Sequence, residues 1–251
     1  MNNWTEVQSK VPNEEVYKLG IPILYAKIRA FECIKNIGLR IEMKTYYVSS
    51  PEQKILFAEK KKKMQLDFHD RLGLHVDKPR SGGVGNSNDG NTARRAFSEP
   101  EVFSEISGVD VRLISRLAVI LEVLSCGYAI DVQAFKNYCT ETWHLYVELY
   151  GWYWMPASIH KILIHGWAII ASFPIPIGWL SEESQESRNK DLRYIRLYCT
   201  RKMSWLEYHE DLLHSLLVSS DPVTSSLRDI PEKSTRNFSH EALGLLADPS
   251  L

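Results

Sequence analysis

The sequence has no CxxC pair: its four cysteines, Cys33, Cys126, Cys139 and Cys199, lie far apart. Spacing of that kind excludes a zinc ribbon held by cysteines. With no secretory leader, it predicts reduced thiols in an intracellular protein. No alternating apolar/polar stretch of any length appears, so no half-buried strand is predicted, and no internal repeat is present. Charge of one sign is also lacking. The formal net charge is −1, so any nucleic-acid binding must come from local patches. The longest apolar run, "WAIIASFPIPIGWL", is broken by two prolines and predicts no membrane span. The glycine-rich stretch "GGVGNSNDGNTARR" lacks a GK[ST] ending and follows no strand, which argues against a nucleotide cofactor.

What remains is helical periodicity over 251 residues that are 44% hydrophobic and 11% aromatic, enough for a packed core. Apolar side chains at helical intervals (Leu24, Ile28, Phe31, Ile34, Ile41) predict a helix within 21–47. "SSPEQ" predicts the next one, capped by Ser50 with Pro51 first and Gln53 completing a capping box, running to Leu72 and stopping at Gly73. Its "KKKK", Lys60 to Lys63, is either a solvated face or a nuclear-import or phosphate-contacting patch. A Gly/Asn loop is predicted over 73–90. Helices follow at 99–107, 111–126, 132–150, 157–171, from Ser181 as N-cap, and over 205–218, with 173–178 extended and 219–251 a mobile tail. The fold class predicted is mainly α.

Three stretches carry chemistry. "GGVGNSNDGNTARR" is a flexible connection, a backbone cradle, or an arginine-bearing turn that contacts a nucleic-acid backbone. "HKILIH" spaces His160 and His165 as H-x4-H, within the interval used by zinc-binding histidines. On a straight helix, residues five apart are about 140° apart, so one ion requires a bend or an end there. "SEESQESRNKDLRYIR" begins with Glu182, Glu183 and Glu186 and continues with cations. Dipole-friendly acids and a Glu186–Lys190 ion pair account for it as an ordinary helix. The alternative is a carboxylate for a divalent ion beside a phosphate-gripping basic stripe, since Ser187 to Lys202 carries a net +5, but the stretch alone favours the ordinary helix.

In order and spacing, these stretches resemble the C-terminal part of the V(D)J recombinase large subunit and Transib-type transposases. Residues 23–74 are similar to the helical insertion that precedes the family's "NGNxAR[KR]" element. The resemblance covers roughly residues 20–215 and implies a helical insertion plus the C-terminal helices of an RNase H-like (DDE) core. It divides the chain into an N-terminal segment 1–20, an insertion-like region 21–172, a catalytic-helix region 173–218 and the tail. Glu186 is then the last acid of the DDE triad, binding Mg2+ or Mn2+, followed by Ser187, Asn189 and Lys190 as in the family, with Arg193 steadying a phosphate. "SEESQES" is one residue longer than the family pattern, and "ESxNK" anchors Glu186. His160 and His165 correspond to zinc ligands. Asp89, Asn91, Arg94 and Arg95 fall on the DNA-contacting turn. DNA as partner, a homodimer and a nuclear location are implied in the same way. The family's two catalytic aspartates and zinc cysteine pair sit upstream on strands and a CxxC, neither of which the sequence offers. Asp67, Asp70 and Asp77 lie at a helix end and in a loop. The resemblance therefore predicts an inactive chain that keeps a DNA-binding surface.

Overall fold

The computed structural model describes residues 20–78, 87–227 and 238–247. It is mainly α, and among the described residues the sole β pairing is an isolated bridge between Ile130 and Leu246. The chain divides into two compact units, the first running to Ser181 and resuming at Phe238, the second beginning at Glu182.

In the first unit, α1 (Ile23–Arg40) buries Ile23, Ala26, Ala30, Phe31, Ile34 and Ile37, the i, i+3, i+4 spacing of one helix face. α2 (Pro51–Leu72) has the predicted ends. Ser50 and Gln53 form the reciprocal capping box, and Gly73 terminates it at φ +61, a left-handed conformation that glycine adopts without strain. α3 (Gly90–Phe97) and α4 (Pro100–Ser107) are short, followed by α5 (Val111–Ser125) and α6 (Val132–Tyr150). Phe103 ties them to the first two helices: its ring lies 5.6 Å from Phe31, 5.6 Å from Phe68 and 5.5 Å from Phe97. Burying each such ring stabilises by about 1.5–3 kcal/mol.

α1 stops at Arg40 instead of continuing toward residue 47. The amides of Met43 and Lys44 both turn back to the Arg40 carbonyl, and Lys44 takes φ +47. Thr45, Tyr46, Tyr47 and Val48 are poor helix formers, and packing of Tyr46 against Tyr153 at 5.1 Å holds the segment away from the helix. α7 (Ala157–Ser172) contains a π turn, Lys161–His165. A 3-10 turn at Ile177–Leu180 follows, overlapping the end of the segment 173–178 expected to be extended. A Cβ at Gly178 would lie 1.7 Å from the Cys126 carbonyl oxygen, so only glycine lets this turn dock against the end of α5.

The tail is not uniformly mobile. After the helical turn His240–Leu243, Leu245 and Leu246 are buried, and backbone hydrogen bonds join Asp131 to the Leu245 carbonyl and Ala247 to the Ala129 carbonyl, both at 2.9 Å. Burial of two leucines outweighs the polar composition around them.

The second unit contains α8 (Glu183–Tyr198), α9 (Trp205–Ser220) and a helical turn at Pro222–Ser226. Ser181 does not cap α8. It ends the 3-10 turn, its amide bonded to the Gly178 carbonyl, and Glu182 becomes the N-cap without a side-chain hydrogen bond. No single helix among the described residues is long and apolar enough to cross a membrane.

Candidate functional site

The "NDGNTARR" turn is first a folding device. Asp89 is the N-cap of α3: its carboxylate accepts from the Thr92 amide at 2.9 Å and the Thr92 hydroxyl at 3.0 Å. Asn88 is buried and donates to Asp77 Oδ1 at 2.6 Å, while its own carbonyl accepts from the Asp77 amide at 2.9 Å. Arg95 donates to the Leu72 carbonyl at 2.5 Å, placing a cation at the C-terminal end of α2, where the helix dipole favours it. Arg94 donates to Asn91 Oδ1 at 3.0 Å, and Asn91 and Arg95 are exposed. Asp89→Ala should therefore lower stability by about 1 kcal/mol. Urea unfolding checks this, with Asp89→Asn, another good cap, close to wild type.

The π turn changes the geometry of the histidine pair. Hydrogen bonds that run i→i+5 bring residues five apart toward one face, where a straight α-helix separates them. The His160 and His165 rings are 5.4 Å apart between centroids, at 67°. Burial pushes both imidazoles below the ordinary histidine value; for His165, the charges of His160 and Lys161 add to it. Both rings are thus biased to the neutral form that binds metals. Trp167 donates its indole N–H to the Ile164 carbonyl inside the turn at 3.1 Å, with the Lys136 ammonium 4.2 Å over its ring.

Zinc needs more ligands, and among the described residues no group of three or more His, Cys, Asp or Glu is placed to hold a metal ion. The cysteines do not help. Cys33, Cys126 and Cys139 are buried, and burial pushes all three thiols up, Cys33 to about 12, so they are core thiols rather than thiolates. The described residues bring two histidines together and do not complete a zinc site. Nor do they gather further carboxylates around Glu186 for Mg2+ or Mn2+.

Glu186 lies in the first turns of α8 and is exposed. The expected Glu186–Lys190 ion pair does not form. Among the described residues Ser187, Asn189, Lys190 and Arg193 are, like Glu186, exposed and without a side-chain partner. Positions 186, 189, 190 and 193 share one face of the helix.

Three other cations of the basic run are occupied within the second unit, while Lys202 is exposed without a side-chain partner among the described residues. Arg188 donates to Ser219 Oγ at 2.6 Å, Ser220 Oγ at 3.0 Å and the Leu216 carbonyl at 3.4 Å, at the C-terminal end of α9. Arg196 donates to the Tyr208 hydroxyl. Arg201 grips Asp211 through two nitrogens, at 3.0 and 2.9 Å, holding that carboxyl at about 2. Net charge over the run therefore overstated the cations on offer, and the structure separates those that build the hairpin from those that do not.

Glu186 and its stripe belong to the second unit, the histidine pair and the 89–95 turn to the first. No protein-family model matches the chain, and no curated protein matches it.

Proposed function

We propose that this chain is a DNA-binding part of a DDE-type recombinase or transposase of the V(D)J recombinase/Transib kind. In this reading Glu186 is the only member of the metal triad it carries, and the helices belong to an insertion and the C-terminal end of an RNase H-like core. The observation that carries the proposal is the exposed stripe Glu186, Asn189, Lys190 and Arg193, which has no intramolecular use among the described residues. Two cations one helical turn apart beside a carboxylate suit a phosphate backbone, and Arg94 with Asn91 offers a second contact of the same chemistry. The neutral, paired histidines suit half of a shared zinc site, completed by residues beyond those described or by a second copy. A nuclear location follows from the same reading.

Catalytic inactivity of the chain by itself is part of the proposal, because the sheet that carries the first two acids is not among the described residues. Purified protein is expected to bind duplex DNA at low salt and to leave supercoiled plasmid intact with Mg2+ or Mn2+. Cleavage that disappears in Glu186→Gln would overturn the inactivity. Failure to bind DNA at low salt would overturn the whole reading and leave a helical interaction protein.

A further inference from the structure

The loop between α1 and α2 carries three unusual features. Lys44 holds a left-handed backbone at φ +47, a conformation costly for a residue with a Cβ. The adjacent Thr45 hydroxyl is buried without a hydrogen-bond partner among the described residues. The next two residues are aromatic: Tyr46, half-buried against the core, stacks on Trp154 at 5.3 Å and 27°, and the exposed Tyr47 meets Tyr46 edge-on at 4.9 Å. Trp154 is 61% and Tyr47 70% exposed, so large apolar faces stand in water beside each other.

The stack is held rigidly from below. Tyr153 is buried 5.1 Å from Tyr46, and Arg40 donates to the Tyr46 carbonyl at 3.1 Å with its guanidinium 4.9 Å over Phe57 of α2. The surroundings are basic. Residues 40–63 contain Arg40, Lys44, Lys54 and Lys60 to Lys63 against Glu42, Glu52 and Glu59, a net +4. The Lys60 ammonium is tied to Glu42 in the same loop at 2.6 Å, and the charge of Lys63 also acts on Glu42, so Lys60 and Lys63 face this loop while Lys61 turns to Asp77 at 3.4 Å. Stacked, exposed, rigid aromatics bordered by cations are what a base and its phosphates require. A protein ligand would gain nothing from the positive border unless it were acidic.

We infer that Tyr47 and Trp154, braced by Tyr46 between them, form a stacking platform for unpaired bases of single-stranded nucleic acid, with Lys44 and Lys63 contacting its backbone. The site uses residues other than the stripe on α8 and the turn at 89–95, and rests on the nucleic-acid reading only in taking the same polymer. It extends that reading from duplex backbone to unpaired strand.

The experiment is fluorescence anisotropy at low salt with a labelled oligothymidylate and, separately, a fully paired duplex. Trp154→Ala and Tyr47→Ala should each weaken oligothymidylate binding about 5- to 100-fold, leave the duplex unchanged, and leave thermal unfolding near wild type. Trp154→Phe should keep most of the affinity, because a flat ring remains. Duplex binding without oligothymidylate binding, or variants that bind the oligothymidylate as wild type does, would overturn the platform while sparing the proposed function. An equal loss on both DNAs would overturn the platform as a separate site. Wild type that binds neither DNA removes the proposed function and the platform together.

Discussion

Lys35→Met should destabilise the protein by about 3 kcal/mol, the low end of the cost of stranding one partner of a buried ion pair. Lys35 is 5% exposed, and its ammonium lies 2.5 Å from Asp77 Oδ1. The other carboxylate oxygen faces the Lys61 ammonium at 3.4 Å, and the Asn88 amide donates to Oδ1 at 2.6 Å. Without Lys35, the weaker interactions with Lys61 and Asn88 remain, which keeps the loss moderate. Burial by itself would raise the Asp77 carboxyl. The hydrogen bond and charge of Lys35, the Asn88 amide and the Lys61 charge outweigh it and hold the carboxyl below its ordinary value. A carboxyl depressed on folding contributes stability above its unfolded pKa and loses that contribution as pH falls through the folded one. Wild type should therefore lose this contribution only in the acid range, and Lys35→Met should shift the acid limb upward. Asp77 sits at φ +54, which asparagine tolerates, so Lys35→Met/Asp77→Asn should recover most of the loss. Urea unfolding of the single and double variants decides the matter. A double variant no more stable than Lys35→Met would show that the packing of the lysine stem, not a stranded charge, sets the cost.

This knot also shows which parts of the site were legible. The α2 ends and the Asp110 and Asp131 caps follow from local chemistry, side-chain oxygens meeting orphan amides, which sequence reads well. "NDGNTARR" was legible as a turn with arginines. The Asp89 cap is local chemistry of the same kind, three residues from Thr92, but that Asn88 would hold Asp77 and Arg95 would reach the Leu72 carbonyl depends on tertiary placement, on residues 11 and 23 positions away. The π turn was beyond local reading. Helical spacing of "HKILIH" predicts separated rings, and a Cβ at Gly166 would come 3.2 Å from Phe135, a packing constraint at the turn's end that periodicity does not contain. The stacking platform was missed for a similar reason: Tyr46 and Trp154 are far apart in sequence, and only the end of α1 at Arg40 frees the tyrosines from a helix face. A run of β-branched and aromatic residues after the last periodic position was the available signal.

Lys190→Ala/Arg193→Ala should weaken duplex DNA binding and reduce the slope of log affinity against log salt by about 2, one for each phosphate left without its cation. Six basic residues follow Glu186 through Lys202, but they are not equivalent. Arg188, Arg196 and Arg201 hold the α8–α9 hairpin through Ser219, Tyr208 and Asp211. Their removal should lower stability first and affinity only through it. Lys190 and Arg193 are exposed, on one face with Glu186, and hold nothing within the described residues, so their removal should leave unfolding near wild type. Arg95→Ala provides the contrast. Its guanidinium satisfies a helix-end carbonyl, so stability should fall whether or not it also touches DNA. Glu186→Gln sharpens the test further. Without a divalent ion, the carboxylate opposes a phosphate beside it, and its neutral replacement should strengthen binding; with Mg2+ or Mn2+ added, wild type should gain more affinity than Glu186→Gln if the carboxylate helps hold the ion against DNA. Anisotropy titrations at several salt concentrations, with and without the ion, separate these outcomes. An unchanged salt slope in Lys190→Ala/Arg193→Ala would remove α8 from the DNA interface and leave Arg94 and its neighbours to carry duplex binding.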